Sequence, residues 1–250
     1  MTAPLVEVRD LEVRYGERVV ARVPELAVRA GECVAIVGES GSGKTSTLLA
    51  TLGLLSGDAR ASGSIRVCGV DVLAAGPKEL RAVRGARAAL VMQDAQAALS
   101  PTMRLGDLAR HALRLHGIRD HRERVREAVE AVLLDPAILR RYPHQVSGGQ
   151  AQRFSIALAL ALGAEVILAD EPTSALDVTV QAEVIAVLRR LRDERGLAVL
   201  LVSHDLALVS TIADHVLIMK DGEVVEHGPA ARVFAAPGHA YTRELLEALP

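Results

Sequence analysis

The 250-residue chain carries a formal net charge of −2, with 24% charged and 2% aromatic residues and no Trp. Its length fits one large domain, or one core with an inserted subdomain, and suffices for a sizeable buried core. The balanced charge argues against the positive field that recruits phosphate backbones or anionic lipid, and the scarce aromatics argue against base stacking, so no nucleic-acid partner is expected.

The first thirty residues alternate in β fashion, with Val6, Val8, Leu11 and Val13 on one face and Tyr15-Gly16-Glu17 as a turn, which predicts an antiparallel sheet. This start has neither the basic flank nor the apolar run of a signal peptide. Residues 32–37 read as a short buried strand, followed by a helix over 44–55; further strands are expected over 63–69 and 88–92, the latter ending at Gln93. Cys33 and Cys68 lie in strand-like apolar surroundings, form no CxxC pair and are too few for a disulfide framework, so they read as small buried hydrophobes.

From Asp94 to about Leu162 the chain turns to Ala, Leu, Arg and Glu at helical spacing. The pattern puts Leu105, Leu108, Ala112 and Leu115 on one face and Val125, Val129, Val132 and Leu133 on another, as in an all-helical insertion. Strands over 166–170 and 198–202 then flank a helix with Val180, Val184, Val187, Leu188 and Leu191 on one face. Strands alternating with helices predict a parallel sheet. A hairpin of 216–219 and 223–226 turns at Asp221-Gly222, and the tail closes with a helix over 242–249. The longest apolar stretch, Phe154 to Ala169, is broken by Gly163 and Glu165 and falls short of the roughly 20 residues a membrane span needs. Membrane association is therefore expected through a partner.

Gly38-Glu39-Ser40-Gly41-Ser42-Gly43-Lys44-Thr45 matches G-x-x-x-x-G-K-[ST], with a strand before it and a helix after it. In this P-loop pattern the glycines let successive N–H groups turn onto phosphates at a helix N-terminus, Lys44 reaches the β- and γ-phosphates of ATP, and Thr45 places its hydroxyl on Mg²⁺. Ser46 follows in the same first turn. Asp170 ends an apolar strand at the carboxyl edge of the sheet, where it can hold Mg²⁺; Glu171, diverging from it, is the expected general base toward an attacking water. Gln93 and His204 each stand just past a strand at the same edge. The first suits Mg²⁺ or water, the second a γ-phosphate oxygen. Ser147-Gly148-Gly149-Gln150 opens a helix with no phosphate of its own, so its N–H groups suit the nucleotide of another subunit. His111, His116 and His121 are spaced by five residues, which turns a helix about 140° per step, so they share no face and are not read as a metal site.

Tyr15, the phosphate loop, Gln93, Ser147 to Gln150, Asp170-Glu171, Ser174-Ala175-Leu176-Asp177 and His204 together resemble the full ordered set of an ABC-type ATP-binding subunit, over essentially the whole chain. The resemblance implies a P-loop NTPase of the α/β class, with a RecA-like parallel core and an N-terminal antiparallel β-subdomain over 1–93 and 163–250 and an inserted α-helical subdomain over 94–162. It implies that Tyr15 stacks on adenine, that Ser147 and Gly149, in a nucleotide-binding turn with Gly148 and Gln150, grip the γ-phosphate held by a second subunit, identical or related, and that Ser174 to Asp177 lines the seam between them. It also implies docking of the helical subdomain on transmembrane permease subunits at the cytoplasmic face of the membrane, served indirectly by an extracytoplasmic substrate-binding protein.

A narrower resemblance, to the ATPases of peptide and nickel importers, rests on Tyr142-Pro143-His144-Gln145, residues 175–182 and the tail Pro237 to Arg243. It departs from that group's usual pattern at Ala95, Ser100 and Val146, none of which removes a catalytic group. The tail stops shortly after Thr242, as in the shorter nickel and metallophore members. Two rival readings stand beside this one. A soluble ABC-type ATPase of DNA or ribosome processes usually carries a coiled coil, a zinc hook or a second cassette. A small-molecule kinase would leave Ser147 to Gln150 and His204 without purpose.

Overall fold

The computed structural model describes residues 3–119 and 121–247. Its strands are β1 (Val6–Tyr15), β2 (Arg18–Val28), β3 (Cys33–Val37), β4 (Ala59–Val67), β5 (Val70–Asp71), β6 (Ala88–Val91), β7 (Val166–Asp170), β8 (Ala198–Ser203), β9 (His215–Lys220) and β10 (Glu223–Pro229). They form one sheet in the order β5-β4-β1-β2-β10-β9-β3-β8-β7-β6. From β9 to β6 the neighbours run parallel, whereas β1, β2, β4 and β5 pair antiparallel. A single bridge, Glu223 to Arg22, joins the two parts, so the expected antiparallel sheet continues the parallel one.

The parallel strands β3, β7 and β8 are buried at every residue, which is why they read as unbroken apolar runs. Alternate residues feed two cores. Cys33, Ala35, Val37, Ile167 and Leu201 face the helices of residues 95–195, while Val34, Ile36, Leu168 and Leu200 face α1 (Lys44–Thr51) and the antiparallel strands. Burial pushes the Cys33 thiol up to about 12 and that of Cys68 up to about 11, so both are inert.

Helices α2 (Pro77–Val83), α3 (Ala95–Ala98), α4 (Leu105–Leu115), α5 (Arg122–Ala131) and α6 (Gly148–Leu162) precede β7; α7 (Val178–Arg195), α8 (Leu206–Ser210), α9 (Ala230–Ala235) and α10 (Ala240–Glu247) follow it. Residues 248–250, where the tail helix was expected to end, lie outside the described residues.

Several expectations need correction. Helix α1 ends at Thr51, not at 55, because the chain turns at Gly53 with φ +62° and Leu54 N–H bonds back to Leu49. The fourth strand begins at Ala59, four residues ahead of the expected start, because β1 extends to meet it. On α4 the buried stripe is Leu105, Ala109 and Leu113, and Leu115 is 69% exposed. Leu133 lies past the end of α5 at φ +59° and is exposed, with Leu134 buried in its place.

Candidate active site

Parallel strands deliver their following loops to one edge, and β3, β8, β7 and β6 are consecutive in the sheet. The phosphate loop after β3, His204 after β8, Asp170 and Glu171 at the end of β7 and Gln93 after β6 therefore gather at one carboxyl edge, where open α/β sheets bind ligands.

A cavity of about 270 Å³ opens there, lined by Ser40, Gly41, Gly43, Lys44, Thr45 and Ser46, by Glu171, and by Arg18 and Val20 of β2. The last two were not anticipated; β2 contributes them by crossing beside the loop. A Cβ on Gly43 would sit 2.4 Å from the Val20 carbonyl oxygen, and the residue has φ +97°, so no other residue fits. Lys44 is 5% exposed, and its Nζ donates to the carbonyls of Gly38 at 2.8 Å and Glu39 at 2.7 Å. Burial lowers its pKa, against the pull of Glu171, Asp170 and Glu39. Buried Ser42 Oγ has no partner among the described residues.

Thr45 Oγ1 donates to Asp170 Oδ1 at 3.0 Å, which joins the two residues expected to hold Mg²⁺. Burial raises the Asp170 pKa; the Thr45 bond and Lys44 oppose that rise, and Glu171 adds to it. Glu171 has φ +43°, a left-handed backbone for a non-glycine residue, locked by its N–H to the Val202 carbonyl at 2.9 Å. Its Oε2 lies 3.0 Å from His204 Nδ1. A carboxylate oxygen accepts, so the Nδ1–H of His204 is the donor of this contact.

The remaining expected residues lie outside the cavity lining. Tyr15 is half-buried at the tip of the β1–β2 hairpin, in register with Arg18. Gln93 is exposed. Asp177 caps α7, its carboxylate accepting from Val180 N–H at 3.0 Å. Ser147 and Gln150 form a reciprocal capping box at the start of α6, with bonds of 3.2 and 3.1 Å. The first-turn N–H groups of Gly148 and Gly149 have no carbonyl to bond within the helix. A Cβ on Gly149 would meet Val180 Cγ1 at 2.2 Å, so α6 packs on α7 at a distance only glycine permits.

Two glutamines tie these regions together. Gln152, 1% exposed, donates to the Met92 carbonyl at 3.1 Å beside Gln93, and Gln96 donates to the Val146 carbonyl at 2.6 Å beside Ser147. Gln152 was legible as a lone polar residue on the buried face of an apolar helix; Gln96 carried no such signal. His144 is exposed and stacks on Tyr142, ring centroids 5.6 Å apart, with Arg104 over the tyrosine ring at 5.7 Å.

The arrangement can cradle a polyphosphate, hold a divalent cation and position a base. Comparison with known proteins decides among such chemistries: the ABC transporter family matches residues 22–174. The chain belongs to this family. It is 42% identical over 259 residues to a putative peptide import ATP-binding protein of Brucella abortus (strain 2308), covering 100% of this chain and 78% of that one. Identity to the oligopeptide transport ATP-binding protein OppD of Salmonella typhimurium is 39% over 255 residues, covering 98% and 76%. The glutathione import ATP-binding protein GsiA of Salmonella choleraesuis matches at 40% over 243 residues, 90% of this chain but 38% of that one. The dimeric post-hydrolysis structure of the ATP-binding cassette MJ0796 bound to ADP and Pi superposes with a TM-score of 0.77 at 27% identity, covering 90% and 98%. This ABC protein is an ATPase subunit with the P-loop NTPase fold. Among the described residues no helix is long and apolar enough to cross a membrane.

Proposed function

We propose that this ABC ATPase powers an importer of peptides, nickel or metal chelates, and that its reaction runs between two subunits. The single domain spans 1–250, with a nucleotide-binding core of 1–93 and 163–250 and a helical subdomain of 94–162. The observation that carries the chemistry is the pairing at the sheet edge: Thr45 on Asp170 and His204 on Glu171, both at 3.0 Å beside the phosphate loop.

Within the loop, Gly38 to Thr45 with Ser46 binds the phosphates, Lys44 leaving the carbonyls of Gly38 and Glu39 for the β- and γ-oxygens. The unpartnered Ser42 hydroxyl and the cavity lined by Ser40, Gly41, Gly43, Lys44 and Thr45 fit that group. Thr45, Asp170 and Gln93 would hold a hard cation such as Mg²⁺, which would supply charge neutralisation on the terminal phosphates. Glu171 takes the proton of the attacking water, and His204 orients Glu171 through Nδ1 while Nε2 faces the γ-phosphate. Tyr15, beside Arg18 on the cavity rim, stacks on adenine.

Ser147, Gly148, Gly149 and Gln150 cap the γ-phosphate of a second ATP-binding subunit, identical or related, with Asp177 in the seam. Closure of the pair on ATP and reopening after hydrolysis move permease subunits that dock on the helical subdomain near His144, at the cytoplasmic face of the membrane. An extracytoplasmic binding protein delivers cargo to those permeases. The names of the peptide and glutathione import relatives support the cargo class.

Affinity purification of the tagged chain from detergent-solubilised membranes, with the membrane-protein genes of its own operon expressed, tests the transport reading. Retention of integral membrane subunits with ATP hydrolysis is expected; recovery with ribosomes or DNA and no membrane subunit would overturn it.

A further inference from the structure

The tail of the chain returns to the phosphate loop from the far end of the sequence. Glu226 on β10 accepts from the backbone N–H groups of Gly238 at 2.7 Å and His239 at 3.0 Å, which docks the segment ahead of α10. His239 Nδ1 accepts from Tyr241 N–H at 3.2 Å and sets the helix start. The Tyr241 ring is 3% exposed, and Lys220 Nζ stands 4.5 Å from its centroid. Held this way, the Tyr241 hydroxyl accepts from the N–H of Glu39 at 3.1 Å. The carbonyl of the same residue accepts from Lys44 Nζ at 2.7 Å. Beneath it Gly38 presses on the end of β9, where a Cβ would sit 2.1 Å from the Met219 carbonyl oxygen. The first two loop residues are thus seated between β9 and the tail.

We propose that Tyr241 is a positioning residue for nucleotide binding: it fixes the Glu39 peptide, on which Lys44 rests before nucleotide arrives. The proposal rests on the ATPase reading, since it takes the loop to bind phosphates. A loop already held in its binding shape spends less ordering entropy when phosphates arrive. Glu39 is the second residue of the loop and shares no hydrogen bond with Glu171 or His204, so the contribution falls on affinity and not on the hydrolytic step. The ordering cost belongs to the nucleotide-free loop, and ATP and ADP both present the β-phosphate it grips, so both feel it equally.

Tyr241→Phe in the full chain keeps the ring and its cation but removes the acceptor. ATP and ADP affinity, read by titration calorimetry, should fall by the same factor, roughly three- to tenfold as for one hydrogen bond, with kcat changed less than about twofold. The amide of Glu39 should exchange faster with deuterium in the nucleotide-free variant. Glu226→Ala, which touches the loop nowhere, should reproduce both effects by loosening the tail. Unchanged affinity for both nucleotides, a loss confined to ATP, or a fall in kcat at unchanged affinity would each overturn the proposal. Should neither parent nor variant bind nucleotide, the ATPase reading fails instead, and Glu39 exchange still decides whether Tyr241 anchors the loop.

Discussion

Two glycine-rich turns in this molecule open a helix, and they differ in everything beyond that. The first, Gly38 to Gly43, leads into α1 inside a cavity that also holds Lys44, Thr45 and Glu171. The second, Ser147 to Gly149, leads into α6, caps itself through Gln150 and shares that cavity with none of those groups. Both offer N–H groups and the positive end of a helix to an anion. In the proposed reaction one supplies the cation, metal ligands and base as well, and the other supplies grip without chemistry. A turn of the second kind makes sense as half of a site completed by another subunit, and the predictions below break or sharpen that contrast.

The largest effect belongs to the first turn. Lys44→Ala removes a buried point charge whose contacts to phosphate contribute about 1.5–3 kcal/mol each, so ATP affinity should fall at least tenfold and hydrolysis should vanish. Calorimetry and phosphate release check it; retained affinity and turnover would remove the phosphate loop from the reaction.

A smaller effect is expected at the second turn, where packing dominates. Gly149→Ala pushes a methyl into Val180 and should destabilise the fold by about 1–3 kcal/mol, read by denaturant titration. Val180→Ala in the same chain should restore most of that loss, because it removes the obstructing methyl groups. Failure of the rescue would mean that the α6–α7 approach does not explain this glycine.

The smallest effect concerns the cost of building the first site. Asp170 is 6% exposed, and burial lifts its pKa above the ordinary 3.8 despite the Thr45 bond and Lys44. A carboxyl whose folded pKa is raised costs stability above that pKa, and the cost disappears as pH falls toward the unfolded value. Asp170→Asn should therefore stabilise the nucleotide-free chain at neutral pH, and the gain should shrink as the solution is acidified. A variant less stable at pH 7 would show that Lys44 and Thr45 outweigh burial.

Strands β3, β7 and β8 were legible in the sequence because burial on both faces leaves continuous apolar runs, and the loops after them announce themselves through Gly, Lys, Asp, Glu and His. The register of the helical segment was not. On α4 two stripes share Leu105: the core takes Ala109 and Leu113 fully and Leu108 and Ala112 in part, while Leu115 is left exposed, a choice made by tertiary packing. Contacts between distant segments were equally hidden. Arg18 and Val20 reach the cavity because β2 crosses beside the loop, and Tyr241 meets Glu39 across 202 positions of sequence. No local spacing encodes either. The pairing of His204 with Glu171 was also beyond the motifs, which place both residues at one edge but do not show which of them the imidazole faces.

The contrast between the two turns is tested most directly by the Glu171→Gln chain, alone and with Ser147→Arg. Glu171→Gln keeps the shape and hydrogen bonding of the base but loses its proton acceptor, so hydrolysis should slow by at least about 10²-fold while ATP binding persists. The intact γ-phosphate should then hold two subunits together, seen by size-exclusion chromatography as an ATP-dependent dimer, with itself or with a related partner ATPase present. Ser147→Arg should dissolve that dimer and leave ATP affinity of the monomer unchanged. A dimer that survives Ser147→Arg, or a Glu171→Gln chain that hydrolyses ATP at the parent rate, would contradict the account.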